Sequence, residues 1–282
     1  MKSISRRSFG AFAAGTIAVA ASSPALGKQA LQTPLQGEKY LFKRPRSNAR
    51  PKVAMLTFPG LTLLDLVGPH TALSAHCDIH LVWKNTDAMM SDSGVILRAD
   101  TLVEDCPRDL DILFIPGGPG QEEIMRDDAL LRFIADRGAR AKYVTSVCSG
   151  ALVLGSAGLL QGYEAATHWA AMDLLPLFGA KPVDQRVVKD RNRITGGGVT
   201  AGLDFGLALL AEIAGETVAK VQQLSMQYDP HPPFDTGTPA KAGPELTKEA
   251  IDWMVAGGID MRKVSKEAAS VMSQYTSNRL TN

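Results

Sequence analysis

Cys148 concentrates the chemistry of this chain. It sits in Lys142-Tyr-Val-Thr-Ser-Val-Cys-Ser-Gly150, with Ala-Leu-Val-Leu directly after. A β-rich run ends on a cysteine and a helix of small residues begins at once. That is the sequence form of a nucleophile elbow, a sharp strand-to-helix turn that exposes one side chain at the end of a sheet. The N–H groups of a helix start favour negative charge on the sulfur, and the thiolate is the reactive form of cysteine. The competing reading is a buried structural cysteine, and the residues around Cys148 decide against it.

Asp65 lies in Gly60-Leu-Thr-Leu-Leu-Asp-Leu-Val-Gly-Pro69, a lone carboxylate among leucines. Burial and a neighbouring thiolate would both raise its pKa. A carboxyl held protonated near neutral pH acts as a general acid. Its other reading is a helix-start cap that bonds backbone N–H groups. Gly117 and Gly118 close a strand with two residues that lack side chains. Their N–H groups, with that of Ser149, are expected to form an anion-stabilising pocket. Pro116-Gly-Gly-Pro-Gly120 has neither the spacing of a dinucleotide fingerprint nor the Gly-Lys-Ser/Thr of a phosphate loop. Taken alone it is a tight turn, as is Gly196-Gly-Gly198. His168, in Thr167-His-Trp169, is expected to orient a group or touch substrate. No carboxylate partner for it is visible by sequence, and a Cys–His hydrolase needs its base within hydrogen-bond reach. His76, Cys77, Asp78 and His80 resemble a ligand set but straddle a helix end and a strand, poor geometry for a metal. No metal or organic cofactor is expected.

These residues need a frame. Lys52-Val-Ala-Met-Leu-Thr-Phe58, Ile79-His-Leu-Val-Trp83 and Asp111-Ile-Leu-Phe-Ile115 read as strands, as does the run into Cys148. Between them, Leu63 to about His76 has helical spacing, interrupted at Gly68-Pro69, and Gln121 to about Arg137 reads as one amphipathic helix. Gly94-Val-Ile-Leu-Arg98 resembles a hairpin arm. Near-continuous apolar strands alternating with helices imply a mostly parallel sheet covered on both faces, an α/β three-layer sandwich. Sites in such sheets form beyond the carboxyl ends of the strands. The loops at Phe58-Pro-Gly60, Pro116-Gly-Gly118 and Cys148-Ser149 fall there.

The chain opens on an address. Ser5-Arg-Arg-Ser-Phe9 followed by an Ala-rich apolar stretch reads as a twin-arginine export signal, with a small-residue cleavage site at Ser23-Pro-Ala25 or Ala25-Leu-Gly27. The domain plan is a signal over 1–27, a polar lead-in over 28–50, an α/β domain over 51–228, and an extended arm with a C-terminal helix over 229–282. Residues 245–275 read as helix able to dock on a partner subunit. Export places the protein in the periplasm, an oxidising compartment. Three cysteines, Cys77, Cys106 and Cys148, leave at least one thiol unpaired within the chain, with a Cys77–Cys106 bridge open. The formal net charge is +1. The most basic run, Arg186 to Arg193, alternates with apolar residues and reads as a solvated hairpin edge, so no nucleic-acid partner is expected. Beyond the signal there is no apolar run of membrane-spanning length, hence no stable membrane anchor.

With Asp65, Gly117-Gly118 and Val147-Cys-Ser-Gly150 in hand, the chain resembles the PfpI-type branch of the class I glutamine amidotransferase-like superfamily. Within it, the chain is similar to the bacterial isonitrile hydratases. Leu64-Asp-Leu-Val-Gly-Pro69, Tyr143-Val-Thr-Ser-Val-Cys148, Ala157-Gly-Leu-Leu-Gln-Gly-Tyr163, Thr167-His-Trp169 and Gly196-Gly-Gly-Val-Thr-Ala-Gly202 carry the likeness, which covers roughly residues 52–240. The resemblance implies a flavodoxin-like sandwich, a homodimer, Cys148 as nucleophile and Asp65 as its acid/base partner. The substrate it implies is a small molecule, an isonitrile or related electrophile. The family places threonine where Ser149 stands; the PfpI proteases place histidine there, which argues against peptidase activity. Glyoxalase-like members share the elbow but usually carry glutamate at the Asp65 position. A non-catalytic periplasmic binding or redox-protective role is a third reading. The related sensor domains of AraC-type regulators append a helix-turn-helix module, for which the C-terminal segment is too short.

Overall fold

Eleven strands and eight α-helices are laid out in the computed structural model, which describes residues 50–258 and 260–272. The twin-arginine segment and almost all of the polar lead-in lie outside the described residues. In chain order the elements begin with β1 (Lys52–Leu56), α1 (Leu63–Leu73) and β2 (Asp78–Trp83). Three two-residue strands follow, β3 (Met89–Met90), β4 (Ile96–Leu97) and β5 (Thr101–Leu102). Next are β6 (Ile112–Ile115), α2 (Gln121–Met125), α3 (Asp128–Arg140), β7 (Tyr143–Val147) and α4 (Gly150–Ser156). After β8 (Glu164–Ala165), a 3-10 helix over Trp169–Phe178 and β9 (Lys181–Pro182) come β10 (Val187–Asp190) and β11 (Arg193–Gly196). The chain closes with α5 (Ala201–Ala214), α6 (Glu216–Ser225), α7 (Pro239–Ala256) and α8 (Met261–Val271).

The central sheet runs β10-β11-β7-β6-β1-β2-β5, parallel throughout except where β10 returns antiparallel to β11. Its inner strands are apolar on both faces. Every residue of β6 and β7 is buried, as a parallel sheet covered on both sides requires. Helices α1, α5 and α6 pack together, while α3, α4, α8 and the 3-10 helix form a second group. This is the flavodoxin-like three-layer α/β sandwich that the alternation of strands and helices predicts. The order places the carboxyl ends of β1, β6, β7 and β11 side by side, and every candidate site residue stands at or just beyond them.

Three local expectations change. Helix α1 runs unbroken through Gly68-Pro69. Proline removes one helical hydrogen bond, but here its ring fits against Gly202 of α5, close enough that a Cβ at Gly202 would lie 3.2 Å from Pro69 Cδ, and its backbone lies against Gly206. The single helix expected over Gln121–Arg137 is two, because Asp127 leaves the helical region (φ −97°, ψ 100°) and its side chain caps α3 by accepting from Leu130 N–H. The C-terminal helix is also two, and α8 docks on its own domain, with Val264 and Ala268 buried. Arg262 pairs with Asp173 of the 3-10 helix, and Glu267 holds Arg126 at 3.0 Å. Cys77, Cys106 and Cys148 are all free thiols, so the open Cys77–Cys106 pairing is not made. Among the described residues no helix is long and apolar enough to cross a membrane.

Candidate active site

The elbow at Cys148 is strained as the motif demands. Its backbone takes φ 53°, a left-handed conformation uncommon outside glycine. Three bonds hold it there. Cys148 N–H donates to the carbonyls of Gly196 and Gly197, at 3.1 and 2.9 Å. Thr167 Oγ1 donates to the Cys148 carbonyl at 2.8 Å. Helix α4 starts immediately beyond, and Gly150 is where it meets the end of β6: a Cβ there would sit 2.2 Å from the Ile115 carbonyl oxygen. Glycine at position 150 is therefore a steric requirement of the turn.

Asp65, on the first turn of α1, is fully buried. Its Oδ2 accepts the Gly117 N–H at 2.9 Å. Oδ1 has no hydrogen-bond partner, and the carboxyl meets the Cys148 thiol side chain to side chain. Burial pushes the carboxyl up to about 7, against the lowering effect of the Gly117 N–H and the Cys148 thiol, and Asp92 adds a smaller upward push. Burial pushes the Cys148 thiol up as well, and the charge of Asp65 adds to it; the N–H groups of Val199 and Ser149 work the other way. Two anions cannot share this buried place, so the pair keeps a proton at neutral pH. The thiolate exists only when its proton has passed to Asp65.

The N–H groups expected to form an open anion pocket are directed at the side chains of the candidate residues themselves. Gly117 N–H serves Asp65 Oδ2, Gly118 N–H donates to Ser149 Oγ at 3.2 Å, and Ser149 N–H favours the sulfur anion. The physical reason is the carboxyl: buried, it needs a donor, and the Gly117 N–H supplies one. His168 caps the 3-10 helix, its Nδ1 accepting from Ala170 N–H at 3.3 Å. Burial pushes its imidazole down, so it is neutral with its proton on Nε2. Among the described residues no three metal-ligating side chains converge on a point that could hold an ion, the His76–His80 group included.

Cys148, Ser149, Gly118 and His168 open onto a pocket of about 440 Å3. Asp65 is not in its lining and meets Cys148, which is. Sequence reasoning missed several of the walls. Val199, at φ 23°, turns its N–H toward the sulfur; no residue pattern signals that. Gln121 enters from the start of α2, directly after the Gly-Gly-Pro-Gly turn. Trp253, Met254 and Met261, from α7 and α8, form an apolar flank. The carboxylates of Asp92 and Glu122 stand in the lining, and among the described residues no lysine or arginine does.

A parallel flavodoxin-like sheet with a cysteine elbow beside a buried carboxyl defines a class, and the chain belongs to it: it matches the DJ-1/PfpI family over residues 51–212. The isonitrile hydratase of Pseudomonas putida is 49% identical over 201 residues, spanning 71% of this chain and 88% of that protein. The crystal structure of a THiJ/PfpI family protein from Pseudomonas syringae has a TM-score of 0.74 at 44% identity, covering 86% of this chain and 98% of that one. A cysteine-to-alanine variant of a DJ-1 superfamily protein from Salmonella typhimurium has a TM-score of 0.58 at 28% identity, covering 64% of this chain and 99% of that one.

Proposed function

We propose that this protein adds water to an isonitrile, R–N≡C, to give the N-substituted formamide R–NH–CHO. The carrying observation is the buried Asp65–Cys148 pair, which holds a single exchangeable proton at the floor of an uncharged-to-acidic pocket. Isonitrile carbon needs one proton and one nucleophile, and the pair supplies both. Asp65 takes the thiol proton and delivers it to the carbon as Sγ bonds there, giving the thioimidate R–N=CH–S–Cys148. Water then adds across C=N with Asp65 as base and acid, giving R–NH–CH(OH)–S–Cys148. The hydroxyl proton returns to sulfur as the C–S bond breaks, releasing formamide and the free thiol. The likeness to the Pseudomonas putida hydratase supports this reading. The flank of Trp253, Met254 and Met261 suits an apolar R group, and Asp92 with Glu122 disfavours an anionic one.

The test is direct. Reduced protein is incubated with cyclohexyl isonitrile, and N-cyclohexylformamide is quantified beside Cys148→Ala and Asp65→Asn. Formamide from wild type alone supports the scheme. Full activity in Cys148→Ala, or none from folded wild type with a titratable thiol, overturns it.

The protein is further proposed to act in the periplasm as a homodimer, exported by residues 1–27. The Arg6-Arg7 pair supports the first, and the exposed Leu224, Phe234 and Trp253 on α6, α7 and the arm between support the second. Replacing Arg6 and Arg7 by lysine should retain the protein in the cytoplasmic fraction, and sedimentation should give twice the chain mass.

A further inference from the structure

Gln121 is 1% exposed, yet it lines the pocket with Cys148 and Ser149. Its Oε1 is buried without a hydrogen-bond partner. A buried acceptor left empty is costly, and in a native fold each one calls for a reason. The orphans at Ser146, Arg137 and Ser265 do not line the pocket. Asp65 Oδ1 belongs to the carboxyl that meets the Cys148 thiol and is likewise not in the pocket lining. Gln121 Oε1 is left, a neutral acceptor among the lining side chains, whereas the two carboxylates there each have one oxygen engaged: Asp92 Oδ1 takes the Leu63 N–H at 3.1 Å, and Glu122 pairs with Arg126 at 3.4 Å.

We propose that Gln121 is a substrate-binding residue whose Oε1 accepts the N–H that the substrate nitrogen acquires during hydration. The proposal rests on the hydratase reading. An isonitrile nitrogen carries no hydrogen and has nothing to donate. Protonation of the thioimidate nitrogen creates an N–H, which persists in R–NH–CH(OH)–S–Cys148 and in the formamide. A carboxamide oxygen does not titrate across the working pH range, so it accepts at every stage from that point. It is silent in the ground state and engaged afterwards, and such an interaction raises turnover without tightening substrate binding.

Gln121→Met keeps the length of the side chain and removes the acceptor. The full chain, reduced, is assayed for kcat and KM with cyclohexyl isonitrile. Inhibition is measured with N-cyclohexylformamide, which has the N–H, and N-cyclohexyl-N-methylformamide, which lacks it. In the variant kcat should fall about tenfold to a hundredfold with KM within about threefold. Wild type should bind the N–H formamide about tenfold more tightly than the methylated one, and Gln121→Met should lose that preference. An unchanged kcat, a raised KM at constant kcat, or equal affinity of wild type for the two formamides overturns the role of Gln121 and leaves the hydratase reading intact. Absence of formamide from wild type removes both. The wild-type inhibitor comparison stands even where the variant does not fold.

Discussion

Asp65 is pinned by Oδ2 to the N–H of Gly117 at 2.9 Å and meets the thiol of Cys148, which lines the pocket. The two residues come from different strand ends and titrate as one unit, because neither tolerates its charge beside the other. What the pair can do follows from how many protons it holds.

With both protons present there is no nucleophile; with one, the thiolate and the carboxylic acid are reached by a single internal transfer. The first proton leaves near pH 7, from a carboxyl raised to about that value by burial. We expect kcat/KM to rise about tenfold per pH unit below that point and to level above it. Asp65→Asn should remove the step together with most of the activity. His168→Phe should keep the step, since His168 is held neutral. A flat profile between pH 5 and 9 in wild type would contradict the assignment.

Stability should carry the same signature with a fixed sign. The Asp65 carboxyl binds its proton more tightly in the folded state, about 7 against 3.8 unfolded. Its contribution to stability is therefore full below about pH 4 and is lost as pH rises through about 7. Asparagine carries no charge to bury. Asp65→Asn should exceed wild type by on the order of 4 kcal/mol at pH 8.5, with the gap closing toward pH 4. Urea unfolding of both proteins at a series of pH values measures it, and a gap independent of pH would refute it.

Gly117 should tolerate no side chain. A Cβ there would lie 2.6 Å from Ser149 Oγ and 2.9 Å from Asp65 Oδ2. Gly117→Ala is expected to lower kcat at least about a hundredfold and to cost about 1–3 kcal/mol of stability. Gly237, with open space around it, provides the matched control, and Gly237→Ala should keep activity within about threefold. Comparable losses in the two variants would show that the effect is general glycine replacement.

The apolar flank should set the preference for R. Met254→Ala combined with Met261→Ala removes much of the wall supplied by α7 and α8. We expect kcat/KM for cyclohexyl isonitrile to fall about tenfold relative to methyl isonitrile. An unchanged ratio would place the R group elsewhere in the pocket.

The sequence by itself determined the parts that are local. The elbow follows from a strand run meeting Cys-Ser-Gly, where Gly150 alone fits under the Ile115 carbonyl. The sheet follows from apolar strands such as Ile112–Ile115, whose burial on both faces leaves no alternation to read. Asp65 stood out because a carboxylate among leucines must be buried or capped. Only the tertiary structure decided which groups meet. The sheet order sets the ends of β1, β6, β7 and β11 beside one another, and that adjacency brings Asp65, Gly117, Cys148 and Val199 together from distant parts of the chain. It also turned the Gly117 and Gly118 N–H groups onto Asp65 and Ser149, buried acceptors that need a donor. Gln121 and the α7–α8 wall were invisible for the same reason. A glutamine at a helix start and methionines on an amphipathic helix have many uses, and packing across the fold selects one of them.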